Sequence, residues 1–429
     1  MQIAADFKLY ENILKDELRP AMGCTEPIAI AYAASILSDA LGCIPGDIDA
    51  CFSGNIIKNV KSVIVPMTGG GYGIDTAICA GLLSSRPDLF LEVLTVLPEN
   101  AGEEIERVRA KTNIKISELN SGCTFELKLC GRSSRGEASV VIVGEHTNVT
   151  EVIRNGANIT EKYLYQSASK RDGTSGDRTK VTVEGILKYA GECSLDTVAP
   201  LLRRQIELNM AIANEGLTGD WGASIGKILL ATGDGTAIRA RAYAAAGSDA
   251  RMSGCELPVC IISGSGNQGI TASVPVIIYA RDLGVSEEAL LRALIVSDLV
   301  TVHQKTGIGT LSAYCGAISA GVGAAAGICY LMGGDYSAVS HTIVNAVAIL
   351  SGTICDGAKP SCAAKIAMAV EAGILGYQMS KMDKQFYGGD GIITKGVENT
   401  IRNVGRLAKD GMSETDREII KIMLETSRK

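Results

Sequence analysis

Four kinds of residue in this chain have the type and setting to do chemistry. The first is cysteine. In AMGCTEPIAI (21–30), Cys24 sits on a tight polar elbow, between Gly23 and Thr25 and just before Glu26-Pro27. It is poorly placed to fill a core and well placed to be reached. Pro27 suits a first helical turn, so the elbow opens a helix. Cys315 lies in SAYCGAISAG. Cys355 and Cys362 bracket the helix-breaking run in ICDGAKPSCA. Thiols at helix ends in glycine-rich settings admit a bulky cofactor. Read singly, each could equally be a small core residue.

The second kind is a glycine turn. PVCIISGSGNQG contains G-x-G-x-x-G at 264–269 after a strand-like run. A lone fingerprint is weak evidence for a dinucleotide, no Rossmann βαβ unit surrounds it, and Pro275 follows too soon for an uninterrupted helix. The better reading is an anion nest, in which backbone N–H groups converge on a carboxylate and Asn267 and Gln268 add polar donors. The third kind is Lys58-Asn59 in SGNIIKNV, able to pair with a carboxylate or steady a carbanion. The fourth is histidine. His146 follows a strand-like run in VIVGEHTN and His303 a helical one, and either could act as a base.

Composition limits what these residues serve. Net charge is −6 over 429 residues and no basic run alternates with aromatics, which excludes a nucleic-acid partner held by phosphate attraction. The first residues carry charges and no apolar signal region. Residues 306–334 hold no charge, but they are Gly, Ala, Ser and Cys rather than Leu and Phe. That suits a buried central helix and not a membrane span. Thirteen cysteines with no C-x-x-C pair fit a reducing cytoplasm. A homo-oligomer stays open.

The elements that position these residues read as α+β. Helices are expected over 8–42, broken at the elbow, and over 76–86. LEVLTVL, IKISEL, FELKLCG and ASVVIVGEH read as strands. Beyond about 195 the chain is Ala-rich and helical. This gives a mostly helical domain from 1–85 and 190–429 with a smaller α/β module, 86–189, inserted. The polar run SKRDGTSGDRTK (169–180) connects the two.

Taken together, MGCTEP, SGNIIKN, GEHTN, SGSGNQG and ICDGAKPSCA resemble the L-cysteine desulfidase family, many of whose members carry the UPF0597 label. The helical half is distantly similar to the α portion of iron–sulfur L-serine dehydratases. The resemblance implies a [4Fe–4S] cluster held by three cysteines, matching Cys24, Cys315 and Cys355, with Cys362 a neighbour it does not exclude. Three ligands leave one iron open to act as a Lewis acid. It implies a lyase that converts L-cysteine to pyruvate, ammonia and sulfide without pyridoxal phosphate. An iron–sulfur serine dehydratase-like reaction, or binding without turnover, are the alternatives. Lys58, Asn59 and His146 are then the acid–base candidates. Glu26, Ser263, Ser265, Asn267, Gln268 and Lys359 are the candidates for binding the amino acid.

Overall fold

A computed structural model describes residues 2–119, 121–164, 177–309 and 311–426. The first part of the chain runs α1 (Gln2–Glu17), β1 (Arg19–Met22), α2 (Thr25–Leu41), β2 (Asp47–Ser53), α3 (Gly54–Val60), α4 (Gly73–Ser84) and α5 (Ala101–Lys111). The strands β3 (Asn113–Leu119), β4 (Glu126–Ser133), β5 (Gly136–Val143), β6 (Val149–Arg154) and β7 (Ala157–Asn158) follow. Next come α6 (Val183–Glu192), α7 (Ala199–Thr218), α8 (Ile225–Leu230), α9 (Thr236–Met252), β8 (Pro258–Ile261) and α10 (Gly266–Leu283). The chain continues through α11 (Glu287–Ile308), α12 (Gly316–Leu331), α13 (Tyr336–Ile349), α14 (Cys362–Lys381), α15 (Val397–Arg406) and α16 (Ser413–Thr426). The fold is α+β, as expected.

The larger sheet has the order β3-β2-β4-β5-β6-β7. Its core face alternates along each strand: Ile48, Ala50 and Phe52, then Leu127 and Leu129, then Val140 and Ile142 are buried, packed under α2. Their neighbours Asp49, Cys51, Lys128 and Cys130 face the other way and are only partly covered. One buried face and one open face is what antiparallel pairing permits. β2 arises from residues that the sequence reading gave to the helical domain. It pairs in parallel with β3, and α3, α4 and α5 make the crossover such a pair requires.

LEVLTVL is not a strand. Residues Pro87–Glu92 form a 3-10 turn and the run continues in turns. Leu91, Leu94 and Leu97 are buried at every third position, the period of a 3-10 helix, because the segment lies on α2. Pro275 does not break α10 either. The helix runs through it, buried on nearly all sides, so packing outweighs the lost backbone bond. Of the polar connection, residues 169–176 lie outside the described residues.

The charge-free stretch becomes α12, buried among α10, α11, α13 and α14. Small residues let these helices approach. A Cβ at Gly321 would fall 2.5 Å from the Ala369 carbonyl oxygen, and one at Gly373 equally close to that of Gly321. Among the described residues no helix is long and apolar enough to cross a membrane.

Candidate active site

The short sheet pairs β1 with β8, in register from Arg19 with Ile261 to Met22 with Pro258. Each strand runs into a turn that starts a helix. After β1, Gly23 adopts φ +66° against Pro66, where a Cβ would lie 2.7 Å from Cγ, and Cys24 caps α2. After β8, Ser263 and Gly264 adopt φ +48° and +72°, and Ser265 caps α10. Thr25 Oγ1 donates to the Gly264 carbonyl at 2.8 Å and joins the two turns. Glu17 accepts from the Ser263 amide at 2.7 Å and pairs with Arg178.

Two further helices begin at the same place. Cys315 caps α12 and Cys362 is the first residue of α14. An isolated antiparallel bridge between Tyr314 and Ile354 sets Cys355 beside Cys315. Four helix amino ends therefore border one cavity of about 100 Å³. Their caps make no side-chain hydrogen bond to the first turn, and each helix dipole turns a partial positive charge toward the cavity.

The wall is polar and unsatisfied. Asn59 Oδ1, His146 Nε2, Arg251 Nε, Asn267 Oδ1 and Gln268 Oε1 are buried there without a hydrogen-bond partner. Buried polar atoms are normally paired, so this concentration marks a place built for something else to bind. Glu26 is buried and its carboxylate accepts from Asn59 Nδ2 at 2.9 Å and the Cys24 thiol at 3.4 Å. Burial alone would raise its pKa, but His146, the backbone amide and Asn59 outweigh it, and the value lies below the ordinary 4.5. Glu26 is thus a buried carboxylate with no ion-pair partner among the described residues. His146 packs its ring edge on Phe125 at 4.8 Å. Burial holds its pKa below the ordinary 6.5, which leaves the imidazole neutral at pH 7.

The thiols differ in state. Burial first, then Glu26, push the Cys24 thiol well up. Cys315 donates to Cys355, which draws Cys355 down and raises Cys315. Lys58 and Lys305 also favour the Cys355 thiolate. Lys305, on α11, is buried with no partner among the described residues, and burial brings its pKa down to about 8. Arg251 donates to the Gly23 carbonyl at 2.8 Å. Cations outnumber carboxylates around the cavity, which suits an anionic occupant.

The structure gathers Cys24, Glu26, Lys58, Asn59, His146, Ser263, Ser265, Asn267, Gln268, Cys315 and Cys355 on this wall, and Cys362 with them. Lys359 does not join: its ammonium is tied to Asp356 in its own loop. His303 is likewise held elsewhere, 2.7 Å from Glu398. Lys58 is paired with Asp416 at 2.5 Å. Arg251, Lys305 and Asp416 were missed by sequence reasoning.

The profile of the serine dehydratase alpha chain family matches residues 91–421. The chain belongs to this family. It is also 51% identical to a UPF0597 protein of Desulfitobacterium hafniense over 97% of both chains. It is 46% identical to one of Lachnoclostridium phytofermentans over 97% of this chain and 100% of that one. A UPF0597 protein of Fusobacterium nucleatum is 41% identical over 96% and 97%. Family membership points to a lyase of the ammonia-lyase type.

Proposed function

We propose that this protein is an iron–sulfur-dependent ammonia-lyase that removes the β-substituent of a small α-amino acid, with L-cysteine as substrate. The observation that carries the reading is the cavity itself, which unpaired polar atoms, a lone buried carboxylate and four thiols line together.

The donor set fits a [4Fe–4S] cluster. Among the described residues no three His, Cys, Asp or Glu side chains are gathered to hold a metal ion. A cluster is wider than an ion and its ligands need not meet at one point. Cys315, Cys355 and Cys362 influence one another electrostatically. Cys24 hydrogen-bonds a buried carboxylate, which disfavours its thiolate. Cys362 is therefore the better third ligand, and Cys24 carries its proton on the facing wall. When bound, the cluster supplies an open iron that acts as a Lewis acid toward the leaving group.

This chain's own residues do the rest. The first-turn amides of α10, with Asn267 and Arg251, hold the substrate carboxylate. Glu26 takes the ammonium. His146 Nε2 accepts the α-proton, and Glu26 beside it stabilises the imidazolium. The C–H electron pair forms the Cα–Cβ double bond, the Cβ–S bond breaks and sulfide leaves. The aminoacrylate tautomerises to an imine, which water hydrolyses to pyruvate and ammonia.

The family description supports serine as the other substrate, with water leaving in place of sulfide. Anaerobically reconstituted protein should release sulfide and pyruvate in equal amounts from L-cysteine, and faster than pyruvate from L-serine. Faster turnover of serine would make it a dehydratase. No turnover of either would overturn the reading.

A further inference from the structure

Lys58 reaches the cavity wall with its side chain fully buried, and its partner comes from the far end of the chain. Its ammonium donates to Asp416 Oδ1 at 2.5 Å and to the Cys355 carbonyl at 3.4 Å. Asp416 lies in the first turn of α16. That helix touches α3 along one stripe. Ile420, a turn beyond Asp416, covers Gly54, where a Cβ would lie 2.8 Å from its Cδ1, and Met423 offers its carbonyl to Lys61 at 2.5 Å. Positions 416, 420 and 423 share a helix face. The Cys355 loop is equally close on the other side: a Cβ at Gly357 would fall 2.5 Å from the Lys58 carbonyl.

The geometry points to Asp416 as a positioning residue and to α16 as a strap that locks the Cys355 loop through Lys58. A buried ammonium needs a countercharge, and one that loses it turns toward water or another acid. Asp416 supplies that charge only while α16 is docked. With α16 docked, Lys58 is aimed at the Cys355 carbonyl and fixes the loop. With α16 lifted, the loop loses its tether. The consequence for catalysis rests on the elimination reading; the strap does not.

The test uses the full chain and two readouts that need no turnover: acetylation of Lys58 by acetic anhydride, followed by mass spectrometry, and deuterium exchange in residues 353–358. Asp416→Asn should raise Lys58 labelling roughly tenfold or more, since the buried charge is left unpaired, and should speed exchange in the loop. Asp416→Glu should restore protection. Glu414→Gln, which alters an exposed pair with Arg417 in the same turn, should change neither readout. Should Asp416→Asn fail to fold, Lys58→Met removes the other half of the pair, and faster exchange in α16 is then expected. Lys58 equally protected in Asp416→Asn, or α16 exchange unchanged in Lys58→Met, overturns the strap. A wild-type chain inactive on cysteine and serine would sink the elimination reading and leave these readouts intact.

Discussion

At the scale of single residues, the proposed elimination needs groups that hold charge and one that moves a proton. His146 Nε2 is neutral, buried and unpartnered. Replacing it by Gln keeps the size and removes the base, and kcat should fall by about 10²-fold or more, as for other general bases. The acid limb has a definite sign. Burial lowers the imidazole pKa, so the base form persists below pH 6.5 and kcat/KM should begin to fall only beneath that value. A limb centred well above 6.5 would assign the proton to another group. The thiols give a second contrast. Cys362→Ala should lose iron and acid-labile sulfide, while Cys24→Ser should keep both. The reverse pattern would restore Cys24 as the third ligand.

At the scale of elements, the decisive contacts are those that let helix ends approach the cavity. Gly269 is one: a Cβ there would come 1.9 Å from the Cys260 carbonyl oxygen. Gly269→Ala should force α10 off β8 and cost about 1–3 kcal/mol, as overpacking does. KM should rise with it, because the carboxylate-binding turn moves; thermal melts and kinetics on one preparation would check both. Asp298, midway along α11, ties that helix to α7. Its Oδ1 accepts from Gln205 at 3.0 Å, its Oδ2 has no partner, and burial lifts its pKa to about 8. The folded state thus keeps a proton that the unfolded state releases near 3.8. Stability from this group is present in full below 3.8 and is lost as pH rises toward 8, by up to about 1.4 kcal/mol per pH unit. Asp298→Asn should flatten that decline, seen as a smaller fall in melting temperature between about pH 6 and pH 8.

At the scale of the whole molecule, charge is sorted by depth. The chain carries −6 overall, yet its cavity holds Arg251, Lys58 and Lys305 against Glu26 and Asp416. Salt screens exposed charges over about 10 Å and reaches buried ones far less. KM for L-cysteine should therefore change less than about twofold between low and physiological salt. A steep salt dependence would mean that the surface, and not the cavity, attracts the substrate.

The sequence by itself determined most of what is local. The alternation in FELKLCG and ASVVIVGEH became β4 and β5, the Ala-rich half became helix, and the elbow at Cys24 did open α2, because strand and helix periods depend only on near neighbours. It also marked most of the cavity wall, since glycine turns and polar elbows inside apolar runs are conspicuous. Tertiary structure alone decided which residues meet. LEVLTVL is apolar enough for a strand, but its place on α2 made it a 3-10 turn. Pro275 could stay in α10 because packing on every side replaced the bond it lacks. Lys359 and Lys58 look alike in sequence, yet one pairs outward with Asp356 and the other inward with Asp416, from the last helix of the chain. The second pairing joins residues 358 positions apart, and no local pattern encodes it.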